Sequence, residues 1–162
     1  MESSLFPHRP GVYTLLLAVT AATSIRVGKL GIHQFPVGHY TYTGSALGAR
    51  STTLRHRIQR HLRPTKRLHW HIDYLLAAEA ARVQTVLFAE TSEPLECPIA
   101  RAIVGIPGAD IVVPGFGASD CRRGCPSHLC CFPQTPYPVL VDRVAAIYHA
   151  VSTPRRVEIG AR

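Results

Sequence analysis

Two short tyrosine-glycine motifs, Gly11-Val12-Tyr13 and Tyr42-Thr43-Gly44-Ser45-Ala46, most constrain what this chain can fold into. A glycine beside an aromatic residue is ordinary at the edge of a β-strand, and both motifs sit in strand-forming sequence. Residues 11–20 (GVYTLLLAVT) and 24–30 (SIRVGKL) are rich in β-branched and aliphatic side chains, and Ala21-Ala22-Thr23 between them predicts a hairpin. A third strand is expected over His39–Thr43. The pattern then changes: Gly44–Arg50 holds two glycines and no periodicity, so it reads as a loop. Beyond it Leu54, Ile58 and Leu62 recur at helical spacing, with Ser51 or Thr52 as the expected cap and Pro64 as the stop.

Lys and Arg outnumber Asp and Glu by 18 to 10, a formal net charge of +8, which favours a polyanionic partner over an acidic protein surface. The charge is concentrated in Arg50, Arg55, Arg57, Arg60, Arg63, Lys66 and Arg67, with His56, His61 and His69 interleaved. Such a run is the signature of a phosphate-contacting face. The bland alternative is a solvated helix face. Arg57 and His61 are four residues apart and therefore emerge on one side of the helix.

Further along, Trp70–Ala81 reads as a helix and Ala81–Ala89 as a strand. Ser92 is positioned to cap a helix over Glu93–Ala102, with Pro94 in its first turn where the missing amide is harmless. Gly105–Pro138 is irregular and carries four of the five cysteines, so something other than regular hydrogen bonding must order it. A last amphipathic helix is expected over Val139–Val151 with Leu140, Val144, Ile147 and Tyr148 inside, and a frayed tail after Pro154. At 162 residues, 46% of them hydrophobic, the chain suits one domain with its core over about 11–132.

Hydrolysis of a phosphodiester needs an activated water, a cation for the charge building on the phosphoryl oxygens, and stabilisation of the leaving oxygen. Glu96 is the candidate ligand for Mg2+ or Mn2+, since hard cations take carboxylate oxygen; the alternative is a surface helix glutamate. Cys97, Cys121, Cys125 and His128 offer three thiolates and an imidazole, a tetrahedral zinc set that would fasten the irregular segment to the helix carrying Glu96. Buried free thiols are the competing reading, with Cys130 and Cys131 as spares, and Asp120 or His128 reaching the catalytic pocket is a third. A cysteine-protease reading fits poorly, because neither a helix-opening nucleophile nor a partnered histidine is evident.

With these residues in hand, the chain resembles the GIY-YIG nuclease superfamily through Gly11-Val12-Tyr13 and Tyr42-Thr43-Gly44. It looks closest to the domain-of-unknown-function 123 branch, through His69-Trp70-His71-Ile72-Asp73-Tyr74, Glu96-Cys97, Gly117-Ala118-Ser119-Asp120-Cys121 and Ser127-His128-Leu129. The resemblance runs from about Gly11 to Phe132. It implies an α/β (α+β) fold, a small mainly antiparallel sheet flanked by helices with an irregular Cys-rich carboxyl-terminal segment. It also implies a metal-dependent endonuclease in which Glu96 holds the cation, Arg57 is the catalytic arginine, and Tyr13 or Tyr42 is the general base. A phenol serves as base only if its pKa is depressed from near 10 by a cation such as Arg57; otherwise both tyrosines are core residues. Gly44 and Ser45 would lie against the substrate, with Arg55 and Arg60 as further phosphate contacts or as competitors for the role of Arg57. His61 would contact phosphate, orient a tyrosine or be purely structural.

The chain departs from the family pattern in the long separation of its two tyrosines and in Thr43, which replaces isoleucine or valine. His69, His71 and Asp73 lie outside the general mechanism, and packing and hydrogen bonding are their expected role.

Some members of the branch are joined to a DNA-repair glycosylase, so the resemblance implies a nucleic-acid partner, DNA before RNA, and a DNA-repair protein partner. The alternatives are a binding module that no longer cuts and a zinc-stabilised interaction protein. Val12–Ala22 imitates a secretory signal but is too short to cross a bilayer. Export would also discard the first tyrosine motif and leave an odd cysteine count in an oxidising space. The expectation is a cytoplasmic protein with reduced thiols and no membrane partner.

Overall fold

A computed structural model describes residues 5–47 and 52–160. Strands β1 (Gly11–Val19), β4 (Gly38–Ala46), β5 (Ala81–Glu90), β6 (Leu129–Phe132) and β7 (Arg155–Glu158) form an antiparallel sheet in the order β6-β4-β1-β5-β7. Strands β2 (Thr23–Arg26) and β3 (Ile32–Phe35) form a separate two-stranded ribbon. The helices are α1 (Leu54–Leu62), α2 (His71–Leu76), α3 (Glu96–Val104) and α4 (Tyr137–His149). Among the described residues no helix is long and apolar enough to cross a membrane.

The hairpin expected between residues 11–20 and 24–30 does not form. All nine residues of β1 are buried because it is the central strand, paired with β4 on one side and β5 on the other. An aliphatic run of that kind satisfies its backbone and both faces only in the middle of a sheet, whereas the alternating exposure of β2 suits a surface ribbon. Tyr13, Leu15 and Leu17 face a core shared with Leu54 and Ile58 of α1 and Ile72 of α2. Val12 and Leu16 face the opposite core, with Ile99 and Ile103 of α3 and Leu140 and Val144 of α4. The sheet therefore has helices on both faces. Thr14, on this second face, hydrogen-bonds Thr43 at 2.9 Å and Tyr148 at 2.8 Å, which satisfies hydroxyls buried between strands and helix.

Helix α1 forms with the expected inward stripe, but its cap is Thr53, whose hydroxyl accepts from the His56 amide. Arg50 and Ser51 lie outside the described residues. The chain leaves α1 at Arg63, which takes extended backbone angles as a residue before proline must. Helix α2 is shorter than expected, and turns through Ala77–Ala80 lead directly into β5. Ser92 caps nothing: Thr91 accepts the Glu93 amide, Pro94 precedes the helix, and α3 begins at Glu96 with Pro98 in its first turn. Within the irregular region β6 pairs with β4, and Asp110 bridges to Cys131. The tail after Pro154 is not frayed; β7 pairs with β5 from Thr85↔Glu158 to Phe88↔Arg155.

Candidate active site and metal centre

Tyr13 on β1 lies directly opposite Gly44 on β4. A Cβ on Gly44 would stand 2.6 Å from the Tyr13 hydroxyl oxygen, so the glycine is there to let the ring cross the neighbouring strand, not to make a strand-end turn. Gly11 serves packing: a Cβ there would meet the Ala89 carbonyl at 2.3 Å and the Leu54 side chain at 2.6 Å, so a larger residue would push α1 off the sheet. The two motifs are thus explained first by close packing, and its consequence is that both tyrosines reach one cavity.

That cavity, about 590 Å³, is lined by Tyr13, Tyr42, Gly44, Ser45, Arg57 and Glu96, with His69, Trp70, His71, Gly117, Ser119 and Asp120 on its far wall. It draws on β1, β4, α1, the start of α2, α3 and the loops beside them. Ser45 donates to Glu96 Oε2 across 3.4 Å. Arg57 is held over the ring of Trp70 at 4.7 Å, a cation–π contact that sequence spacing gave no means of foreseeing.

The other expected phosphate contacts are placed elsewhere. Arg55 donates from Nε to the Phe6 carbonyl at 2.7 Å. Arg60 forms a bidentate pair with Asp73 at 2.7 and 2.9 Å and donates to the Arg67 carbonyl, 2.9 Å away. Neither lines the cavity. Asp73, fully buried, also accepts from the amides of His69 and Trp70. Burial opposes ionisation of its carboxyl, but Arg60 and the two amides hold the pKa below the ordinary value. The histidine-tryptophan motif is therefore a clamp: Asp73 ties the start of α2 to α1 and sets Trp70 beneath Arg57. His71 accepts the Gly117 amide at 2.8 Å and so fixes the far wall.

His61 lies beneath the cavity floor, buried, with Nε2 2.7 Å from the Tyr13 hydroxyl. Burial drives its pKa down to about 3 despite the opposing field of Asp73, so the ring is neutral. Burial also raises both cavity phenols above the usual range. Arg57 pulls each of them down, as expected, but burial outweighs it, and both tyrosines are protonated.

Beside this cavity Cys97, Cys121, Cys125 and His128 come together with one donor atom from each, all within 4.8 Å of one another. Cys97 Sγ is 3.5 Å from Cys121 Sγ and 3.9 Å from His128 Nε2. The edges of a tetrahedral zinc site with ordinary bond lengths are about 3.8 Å and about 3.6 Å, so the set fits a metal of that size. The amides of Cys125 and Arg123 hydrogen-bond the Cys121 sulfur and bring its pKa to about 6, against the effect of burial. Such amides stabilise thiolate, the form that binds metal. Burial pushes Cys97 up to about 12, and the neighbouring thiols add to this. That disfavours three adjacent anions without a cation between them. Cys130 and Cys131 lie apart, buried in β6, and are not part of the set.

His128 spans the two sites. Its Nε2 belongs to the donor set, and its Nδ1 faces Glu96 Oε1 at 3.5 Å. Burial disfavours the charged ring, yet Glu96 and Cys125 carry its pKa to about 9. Asp120 and Cys121 are adjacent in sequence, one on the cavity wall and one in the donor set.

No curated protein and no solved structure matches the chain. A family model described as "Domain of unknown function DUF123" matches residues 12–151, most of the chain, and the protein therefore belongs to that family.

Proposed function

We propose that the cavity is the active site of a metal-dependent endonuclease of GIY-YIG type acting on nucleic acid, DNA before RNA, in a repair setting. The observation that carries this reading is the convergence of Tyr13, Tyr42, Arg57 and Glu96, from four separate elements, on one polar cavity in a chain of net charge +8. Arg57, with its guanidinium already resting over Trp70, would bind the scissile phosphate and stabilise its developing charge. Glu96 would hold Mg2+ or Mn2+, which when bound supplies Lewis-acid polarisation of a phosphoryl oxygen. Tyr13 is favoured over Tyr42 as the base, because its oxygen has the neutral imidazole of His61 at 2.7 Å, whose Nε2–H would orient the phenol and stabilise its deprotonated form in the field of a bound cation. The Cys97-Cys121-Cys125-His128 set is proposed to bind zinc, the ion that a three-thiolate, one-imidazole set selects.

Cleavage of labelled single-stranded, duplex, nicked, flapped and branched DNA and RNA, with magnesium or manganese, tests the reading. Metal-dependent cutting that is lost in Glu96→Ala and in Arg57→Ala is the expected result. The protonated state of both buried phenols favours a second reading, a binding module that no longer cuts. That reading is established if no substrate is cut while wild type and Glu96→Ala bind equally well.

A further inference from the structure

His128 is held more firmly than a loop histidine needs to be. Its amide donates to the Phe116 carbonyl at 2.8 Å and its carbonyl accepts the Thr43 amide at 3.1 Å, so its backbone is tied to β4 beside Tyr42. Gly117, at φ +70°, has no room for a side chain between Tyr42 and the His128 Cβ. The side chain is 2% exposed, and its Nδ1 makes no well-formed hydrogen bond; Glu96 Oε1, 3.5 Å away, is the carboxylate oxygen it faces. A buried polar atom in that position is poised for a partner.

We infer that the Cys97-Cys121-Cys125-His128 centre is a positioning centre for Glu96: zinc bound at His128 Nε2 fixes the imidazole proton on Nδ1, which then donates to Glu96 Oε1. Oε2, already facing Ser45, is left for the catalytic cation. A metal-bound imidazole donating its second N–H to a carboxylate is a general way of orienting both groups. Cys97 adds a second constraint, since it adjoins Glu96 in the first turn of α3 and belongs to the same donor set. With the proton on Nε2 instead, Nδ1 would present a lone pair to the carboxylate and repel it. The inference rests on the reading of Glu96 as the carboxylate of the hydrolytic cation. It makes the zinc set part of the catalytic geometry and not only a fastener.

The first test is the zinc affinity of the full-length protein, measured by competition with a chromophoric chelator. Glu96→Ala is expected to weaken zinc about tenfold to a hundredfold, the usual effect of losing such an outer partner. Arg57→Ala should leave zinc affinity unchanged. Zinc binding in Glu96→Ala equal to wild type overturns the inference, as does a purified protein free of zinc with Cys97 and Cys121 joined by a disulfide. The second test is manganese binding followed by electron paramagnetic resonance in zinc-loaded wild type and His128→Cys. The variant keeps four zinc ligands and lacks the Nδ1 donor, and manganese binding at least tenfold weaker is expected. Equal manganese binding sinks the positioning role and leaves the cleavage reading intact. If zinc affinity depends on Glu96 but wild type takes up no manganese, it is the hydrolytic-cation reading of Glu96 that fails. Where His128→Cys does not retain zinc, the Glu96→Ala affinity decides the matter.

Discussion

The Tyr13 hydroxyl lies 2.7 Å from His61 Nε2, while His61 Nδ1 is buried without a hydrogen-bond partner. Protonation would give that nitrogen a donor hydrogen with nowhere to point. Burial accordingly lowers the pKa from 6.5 to about 3. Between those values the unfolded chain takes a proton that the folded one refuses, so stability is fully present above pH about 6.5 and is lost as pH falls towards 3. We expect the urea midpoint of wild type to fall more between pH 7 and pH 4 than that of His61→Gln. The carboxyl of Asp73 loses its contribution only below 3.8, outside most of this window. His128, whose raised pKa gives stability that is lost as pH rises through about 9, is common to both proteins and cancels. Parallel pH profiles would contradict this account.

Gly44→Ala places a methyl group within 2.6 Å of the Tyr13 hydroxyl oxygen. The expected cost is about 1–3 kcal/mol from overpacking. Cleavage should fall more steeply than folding, because the displaced ring is the one bonded to His61. Denaturant melts beside single-turnover rates check this, and unchanged rates in a folded variant would show that the Tyr13 position is not critical.

Asp73→Ala removes both bonds to Arg60 and the acceptor for two amides. Breaking a largely buried pair costs about 3 kcal/mol. Since Trp70 is the only tryptophan in the chain and carries Arg57 on its face, the same change should shift intrinsic fluorescence emission. A variant with wild-type emission and melting point would show that the clamp is idle.

Arg57→Ala should weaken nucleic-acid binding similarly across sequences and reduce the slope of log K against log salt by about 1, the signature of one lost phosphate contact. Arg55→Ala, whose guanidinium is turned to the Phe6 carbonyl, should leave the slope unchanged. Salt titrations with a labelled oligonucleotide distinguish the two, and equal slopes for Arg57→Ala and wild type would remove Arg57 from the phosphate.

The parts of the site that were legible in the sequence are those whose chemistry is local. Tyr13, Tyr42 and Gly44 announce themselves by residue type, the α1 stripe by spacing, and the cysteine-histidine set by donor count, and the structure brings each group together. What pairs with what was not legible. The hairpin expectation joined β1 to its neighbour in sequence, but the better partners for a fully apolar strand were β4 and β5, far along the chain. Arg57 and Arg60 look equivalent on the helix, and only Asp73 tells them apart by claiming Arg60. The four-residue strands β6 and β7 are too short for alternation to show.

Strand β7 gives the sheet its outer border. The inner neighbour, β5, reads Ala-Arg-Val-Gln-Thr-Val-Leu-Phe-Ala-Glu, long and apolar enough to recruit a strand from another molecule if its hydrogen-bonding groups stood free. Along Thr85–Phe88 they are occupied by a strand of only four residues, three of them charged. Residues 155–158 thus act as a hem on the fabric, too short and too charged to invite a further strand along that edge.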